Sequence, residues 1–169
     1  MAVTLSDTYY LKALDYYPYN LEELIENLNY ALSYDEEHSD ANCLMGRLQH
    51  AQLKNYELAE GYFVNALTSN PCNLSVYRYY SILLIELREY DKALKLINHS
   101  YKLKGVNMGE MKRIEGLLAE YQKQYDLALV NYKEARNETF DNEQIDEINS
   151  DISRVESKIA SSQQFNYSM

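Results

Sequence analysis

Several things are scarce in this chain, and each scarcity excludes something. Tryptophan is absent, and 169 residues hold only five glycines, two prolines and two cysteines. No glycine-rich loop is available to cradle a phosphate, which removes the common nucleotide-binding motifs. Cys43 and Cys72 stand far apart with no CxxC pair, so the sequence encodes neither a disulfide framework nor a zinc site, and both are expected as reduced thiols. Positive charge is also short: 16 Lys and Arg against 26 Asp and Glu leave a net charge of −10. An acidic surface of that kind disfavours nucleic acid and anionic membrane, and biases the chain toward partners with basic or apolar surface. The longest apolar stretch, Ser81 to Leu87, is far too short to cross a bilayer. The opening MAVTLSDTYY has no basic segment followed by an apolar run, so no secretory signal is expected and a cytoplasmic location is the default reading. The sequons at Asn73, Asn98, Asn137 and Asn166 are then chance matches in an Asn-rich chain.

Catalytic chemistry finds as little support. His38, His50 and His99 lie in different segments, and none has a Cys or Ser nucleophile at a recognisable spacing. The run Asp35-Glu36-Glu37-His38 concentrates ligand types, but consecutive residues point in different directions and match no metal pattern. The sequence therefore predicts a non-enzymatic protein with no cofactor and no metal.

Tyrosine, by contrast, is abundant at 18 residues, and many tyrosines fall on a recurring pattern. Tyr56, Ala59, Phe63 and Ala66 are followed 34 residues later by Tyr90, Ala93, Ile97 and Ser100, and a further 35 residues on by Tyr125, Ala128, Tyr132 and Ala135. Steps of three and four place each set on one face of a helix. Leu21, Leu24, Leu28 and Ala31 repeat the spacing 35 residues before Tyr56. Gly46, Ser81 and Gly116 supply a small residue in the helix before each Tyr-led helix. A period near 34 built from paired helices resembles the tetratricopeptide repeat family. The resemblance implies an all-α, right-handed solenoid of antiparallel helix pairs. About nine helices are expected, the last of them a C-terminal cap.

In chain order, Ser6 or Asp7 is expected to cap a first helix that ends near Pro18, and Asn20 a second, with Glu23 in capping-box position. This degenerate hairpin covers 6–37 and ends in the polar run from Asp35 to Asp40. Repeats follow at about 40–72, 73–105 and 107–139, then a capping helix at 141–160, all in one domain spanning 1–160, with 161–169 as a disordered tail. Gly46 and Tyr56 are one residue further apart than Gly116 and Tyr125, which predicts an extra residue in the first intra-repeat turn. The segment LSVYRYYSILLIELREY is apolar nearly all round and should be buried on several sides. In the last helix, Ile145, Ile148, Ile152, Val155 and Ile159 form a stripe that fits a capping helix or a short dimer helix, so a homodimer stays possible.

In the family, the first helix of each pair lines a concave groove that takes a peptide or protein segment. Register places Cys43, Arg47 and His50 on that face, then Arg78, Ile82 and Ile85, then Arg113, Leu117 and Tyr121. Three of the six arginines fall in this set. They are expected either to bind an acidic and apolar partner segment or to pair internally with Glu86, Glu110 or Glu120. The Lys/Asn clamp with which some family members hold the carboxyl terminus of heat-shock chaperones is missing: Cys43, Arg47, Tyr79, Glu110 and Ile114 stand in its place. The expected role is a protein-interaction scaffold or adaptor. A secretion-type chaperone for an apolar client and a regulatory subunit of an enzyme complex are the alternatives.

Overall fold

A computed structural model describes residues 3–166, with side chains described through 162. Among the described residues nine α-helices form, with no strands: α1 (Leu5–Tyr16), α2 (Leu21–Tyr34), α3 (Ser39–Ala51), α4 (Tyr56–Ser69), α5 (Leu74–Glu86), α6 (Tyr90–Ser100), α7 (Met108–Tyr121), α8 (Tyr125–Asn137) and α9 (Asn142–Asn166). This is the expected all-α solenoid class of helix pairs. The chain divides into two compact units, one up to Tyr80 and one from Ser81.

The repeat pattern is the packing pattern. Leu24, Leu28 and Ala31 of α2, Ala59, Phe63 and Ala66 of α4, Ala93, Ile97 and Ser100 of α6, and Ala128, Tyr132 and Ala135 of α8 are all fully buried. The first member of each set starts its helix and stays partly exposed. In the first unit the core joins Ala13 of α1 to α2 and to Ala41, Leu44, Met45 and Leu48 of α3. In the second unit it joins Ala119 of α7 to α8 and to Ile148, Ile152 and Val155 of α9. The apolar stripe of α9 thus lies against α8, the arrangement of a capping helix.

Small residues sit where helices close in. A Cβ added to Gly46 would meet the Phe63 ring at 2.8 Å, and one added to Gly116 would meet the Tyr132 ring at 2.7 Å. Ser81 is the fully buried counterpart in α5. The intra-repeat turns share one device, a non-glycine residue in left-handed backbone: Lys54 (φ 55°), Arg88 (φ 63°) and Lys123 (φ 62°). The residue after each closes the preceding helix, Glu89 N–H to the Leu84 carbonyl and Gln124 N–H to the Ala119 carbonyl. At the first turn Asn55 N–H reaches one residue further back, to the Gln49 carbonyl at 2.8 Å, which absorbs the extra residue read from the sequence.

Some expected boundaries are corrected. α1 is capped by Thr4, not Ser6 or Asp7. Ser6 is buried and donates to the Ala31 carbonyl, while Asp7 completes a capping box with Thr4. The polar run ends earlier than expected because His38 caps α3, its Nδ1 accepting from Ala41 N–H at 3.1 Å. α9 continues through Asn166, past the expected end near 160. No Gly or Pro interrupts it, and Ser161 and Ser162 fold back onto helix carbonyls. The remainder of the expected tail, 167–169, lies outside the described residues.

Candidate functional site

The expected groove residues fall into two groups, one per unit. In the first unit, Tyr17 at the end of α1, Arg47 of α3 and Tyr79 of α5 converge. The Arg47 guanidinium lies 4.7 Å from the Tyr17 ring centroid and 4.1 Å from that of Tyr79. Its Nη2 donates to the Tyr17 hydroxyl at 3.1 Å. Its Nε is buried and has no hydrogen-bond partner among the described residues. No carboxylate among the described residues pairs with it, although the chain carries ten more acidic than basic side chains. Arg78 extends the cluster, stacking 5.0 Å from the same Tyr79 ring. Three successive first helices therefore contribute to one aromatic and cationic surface.

The Cys43 thiol and the Tyr10 phenol, both of which feel the Arg47 charge, are held neutral. Burial pushes the Cys43 thiol up to about 12 even though the nearby Arg47 charge works the other way. Burial and the Asp40 charge likewise raise the Tyr10 phenol to about 12. A thiol so shifted carries almost no thiolate at neutral pH, so Cys43 is placed as an apolar wall rather than a nucleophile. His50, near the end of α3, is 9% exposed, with its ring 5.9 Å from that of Tyr56.

In the second unit the structure assigns different roles to the expected residues. Ile85 is 0% exposed and belongs to the core, as the all-round apolar character of α5 requires, while Ile82 is half-buried. Arg113 is paired, but to none of the three glutamates suggested by the sequence. Its Nε donates to Asp151 at 2.6 Å and its Nη1 to Glu147, both on α9. Leu117 and the exposed Tyr121 line a cleft of about 590 Å³, together with Glu120, Lys123, Tyr125, Asp151, Arg154 and Lys158.

The cleft is floored by a charge hub on Glu120, which is 6% exposed. Arg154 grips its carboxylate with two donors at 2.9 and 2.7 Å, and Lys158 and the Tyr132 hydroxyl each donate at 2.8 Å. Burial alone would raise this carboxyl, but those hydrogen bonds and the Arg154 charge outweigh it and bring it down to about 2. Arg154 also donates to Asp151 at 2.7 Å. The charges of this hub are thus matched internally. Neither the Tyr17–Arg47–Tyr79 cluster nor the α7–α9 hub was read from the sequence. Most of their partners lie 30 or more residues apart in the chain, and the only sequence-level trace is the adjacency of Arg78 to Tyr79. Among the described residues no three His, Cys, Asp or Glu side chains are placed to hold a metal ion. No helix among them is long and apolar enough to cross a membrane.

No family model matches this sequence, and no curated protein does. Solved structures do. PilF of Pseudomonas aeruginosa superposes with a TM-score of 0.79 at 19% identity, over 93% of this chain and 70% of that one. MamA (residues 41 to the end) from Desulfovibrio magneticus RS-1 gives 0.67 at 14% identity, over 99% of both chains. TTC0263, a thermophilic tetratricopeptide repeat protein of Thermus thermophilus, gives 0.67 at 17% identity, over 87% of this chain and 81% of that one. At such identities the likeness establishes the fold, and that fold is the tetratricopeptide repeat fold.

Proposed function

We propose that this chain is a non-enzymatic interaction scaffold that takes a protein segment on the first-helix face of its N-terminal unit. The fold supports an interaction role in general. The carrying observation is Arg47, a fixed cation held by Tyr17 and Tyr79 with no carboxylate partner among the described residues. A guanidinium stacks through its face and donates in its plane; with Nη2 on Tyr17 and Nε buried, Nη1 is the donor left for an incoming carboxylate. The surrounding rings add apolar contact area at low entropic cost. The partner class that fits is an acidic segment with neighbouring apolar residues. Arg47 and Arg78 are the arginines of this reading. Arg113 is engaged by α9 and is withdrawn from it.

The test is capture from native lysate by the purified protein, beside Arg47→Gln and the exposed control Lys95→Gln, each first matched to wild type in helicity. The reading expects a partner retained by wild type and Lys95→Gln and lost by Arg47→Gln. Equal retention of the same partner by all three would exclude this surface.

A further inference from the structure

The hairpin of α1 and α2 carries an open aromatic surface that shares no residue with the Arg47 cluster. The Tyr9 ring of α1 packs against Tyr30 and Tyr34, one turn apart on α2, at centroid distances of 5.0 and 5.7 Å, and lies within 10° of parallel to Tyr34. Tyr30 stays 45% exposed and Tyr34 56%. The charge around these rings is one-sided. Residues 1–46 hold nine Asp and Glu against Lys12 alone, a formal −8 of the chain's −10. Glu22 and Glu26 share the exposed four-residue row of Tyr30 and Tyr34 on α2. The charge of Glu26 holds the Tyr30 phenol above its ordinary range, which places that carboxylate beside the ring. At the other end, no basic residue stands in the last turn of α2, and Asp35, Glu36 and Glu37 follow it directly. The carbonyl end of a helix is already electronegative, so carboxylates placed there lack compensation. No Lys or Arg occurs between residues 13 and 46, and among the described residues none pairs with Glu22, Glu26, Glu36 or Glu37.

We infer that this tyrosine surface docks an arginine-bearing basic segment of a partner protein. Charge complementarity selects a cation. The rings select a side chain over a free ion, since among the described residues no three His, Cys, Asp or Glu side chains are placed to hold a metal. A tyrosine face attracts a cation through its quadrupole. A planar guanidinium adds a further layer to the parallel Tyr9 and Tyr34 rings while its edge donates to a carboxylate. Lys12, the one Lys or Arg of the hairpin, lies 4.9 Å from the Tyr9 ring centroid, so ring–cation pairing already occurs here and the exposed Tyr30 and Tyr34 rings remain open to more. Spacing sets the length of the segment. Glu26 and Asp35 are nine residues apart, about 13 Å along the axis at about 1.5 Å per residue. An extended segment covers that distance in four steps of about 3.3 Å, and its alternate side chains face one way. Arginines at the first, third and fifth positions of such a segment then all face α2.

The probe is a five-residue peptide alternating arginine and alanine, with an N-terminal fluorophore, titrated with the full chain at about 0.15 M salt and read by anisotropy. Each variant is first matched to wild type in helicity. Saturable binding is expected. Glu26→Gln with Glu36→Gln and Glu37→Gln should weaken it about tenfold or more, through the loss of charge-assisted contacts. Tyr30→Leu with Tyr34→Leu keeps apolar bulk and removes the rings, and should weaken it about fivefold or more. Glu138→Gln with Glu143→Gln and Asp146→Asn removes the same charge from exposed sites of the second unit, and should leave the affinity within about twofold. The lysine counterpart of the peptide, equal in charge but without the planar fork, should bind more weakly. Arg47→Gln should change nothing, so the result stands or falls apart from the proposed function. Absence of saturable binding overturns the inference. So does equal weakening by the two charge-removing triples, which would mean general attraction to an acidic protein. Binding indifferent to the tyrosine substitutions, or a lysine peptide held as tightly as the arginine one, overturns it too. A dimer of the chain that dissociates on Tyr30→Leu with Tyr34→Leu and excludes the peptide makes a second copy the occupant, and overturns it as well.

Discussion

Replacing Gly116 by alanine tests the close approach on which the repeat depends. The new Cβ would stand 2.7 and 2.8 Å from two carbons of the Tyr132 ring, well inside contact distance. The ring cannot simply swing away. It is fully buried, and its hydroxyl is tied at 2.8 Å to Glu120, which Arg154 and Lys158 hold in turn. Overpacking of this kind costs about 1–3 kcal/mol. Against it stands the helix preference for alanine over glycine, about 1 kcal/mol. The balance is a loss of up to about 2 kcal/mol, or a Tm lower by up to roughly 8 °C for a chain of this size. Gly61 is the internal control, because it lies in the exposed face of α4 and an added Cβ meets nothing within 4 Å. Gly61→Ala should stabilise by about 0.5–1 kcal/mol. Thermal and urea melts followed by circular dichroism decide the matter. If Gly116→Ala melts at or above wild type, or if the two alanine variants shift together, the small-residue contact is not what holds these helices at their spacing. Gly46→Ala, facing Phe63 at 2.8 Å, should behave like Gly116→Ala.

Ser81→Ala should move the other way. The Ser81 hydroxyl is buried with no hydrogen-bond partner among the described residues, and its removal should raise stability by about 1 kcal/mol in the same melts. Glu120→Gln should cost about 2–3 kcal/mol at neutral pH, because it leaves Arg154 and Lys158 facing a neutral amide. Since the folded-state pKa of Glu120, about 2, lies below its ordinary 4.5, its contribution is complete above about pH 4.5 and is lost as pH falls toward 2. The gap between wild type and Glu120→Gln in urea denaturation should close over that window, and a gap that is constant with pH would contradict the assignment. Arg88→Gly and Lys123→Gly each relieve a left-handed residue, and each should add about 0.5 kcal/mol after the entropic cost of glycine. Thr4→Ala should remove about 1 kcal/mol by opening the capping box of α1, and amide exchange should quicken first in that helix.

What was legible in the sequence was whatever is local and periodic. The sets led by Leu21, Tyr56, Tyr90 and Tyr125 announced four helices and the residues that bury their faces, because burial follows helical spacing. Gly46 and Gly116 announced close approach, because few residues other than glycine fit against a ring. The one-residue excess before Tyr56 surfaced as a longer closing bond from Asn55. Caps were harder. Thr4, Ser6 and Asp7 offer equivalent chemistry within four residues, and the choice among them was made by a contact with Ala31 far along the chain. Histidine is a rare N-cap, so His38 gave no signal at all.

The arginines show where reading by register stops. Arg78 and Arg113 are equivalent by spacing, and Arg47 lies one turn away, so the sequence treats the three as one stripe. What differs is the element that follows. α7 is followed by its paired helix α8 and then by α9, whose Glu147 and Asp151 fall opposite Arg113 and complete its valence. Arg47 meets tyrosines instead, and a tyrosine ring compensates a cation only in part, through its quadrupole. Register fixes which residues share a face. Whether a charge on that face is already satisfied depends on residues 30 to 40 positions away whose own spacing carries no repeat. The repeat therefore points to a surface, and the unmatched charge on that surface distinguishes the arginine left open from the one already closed.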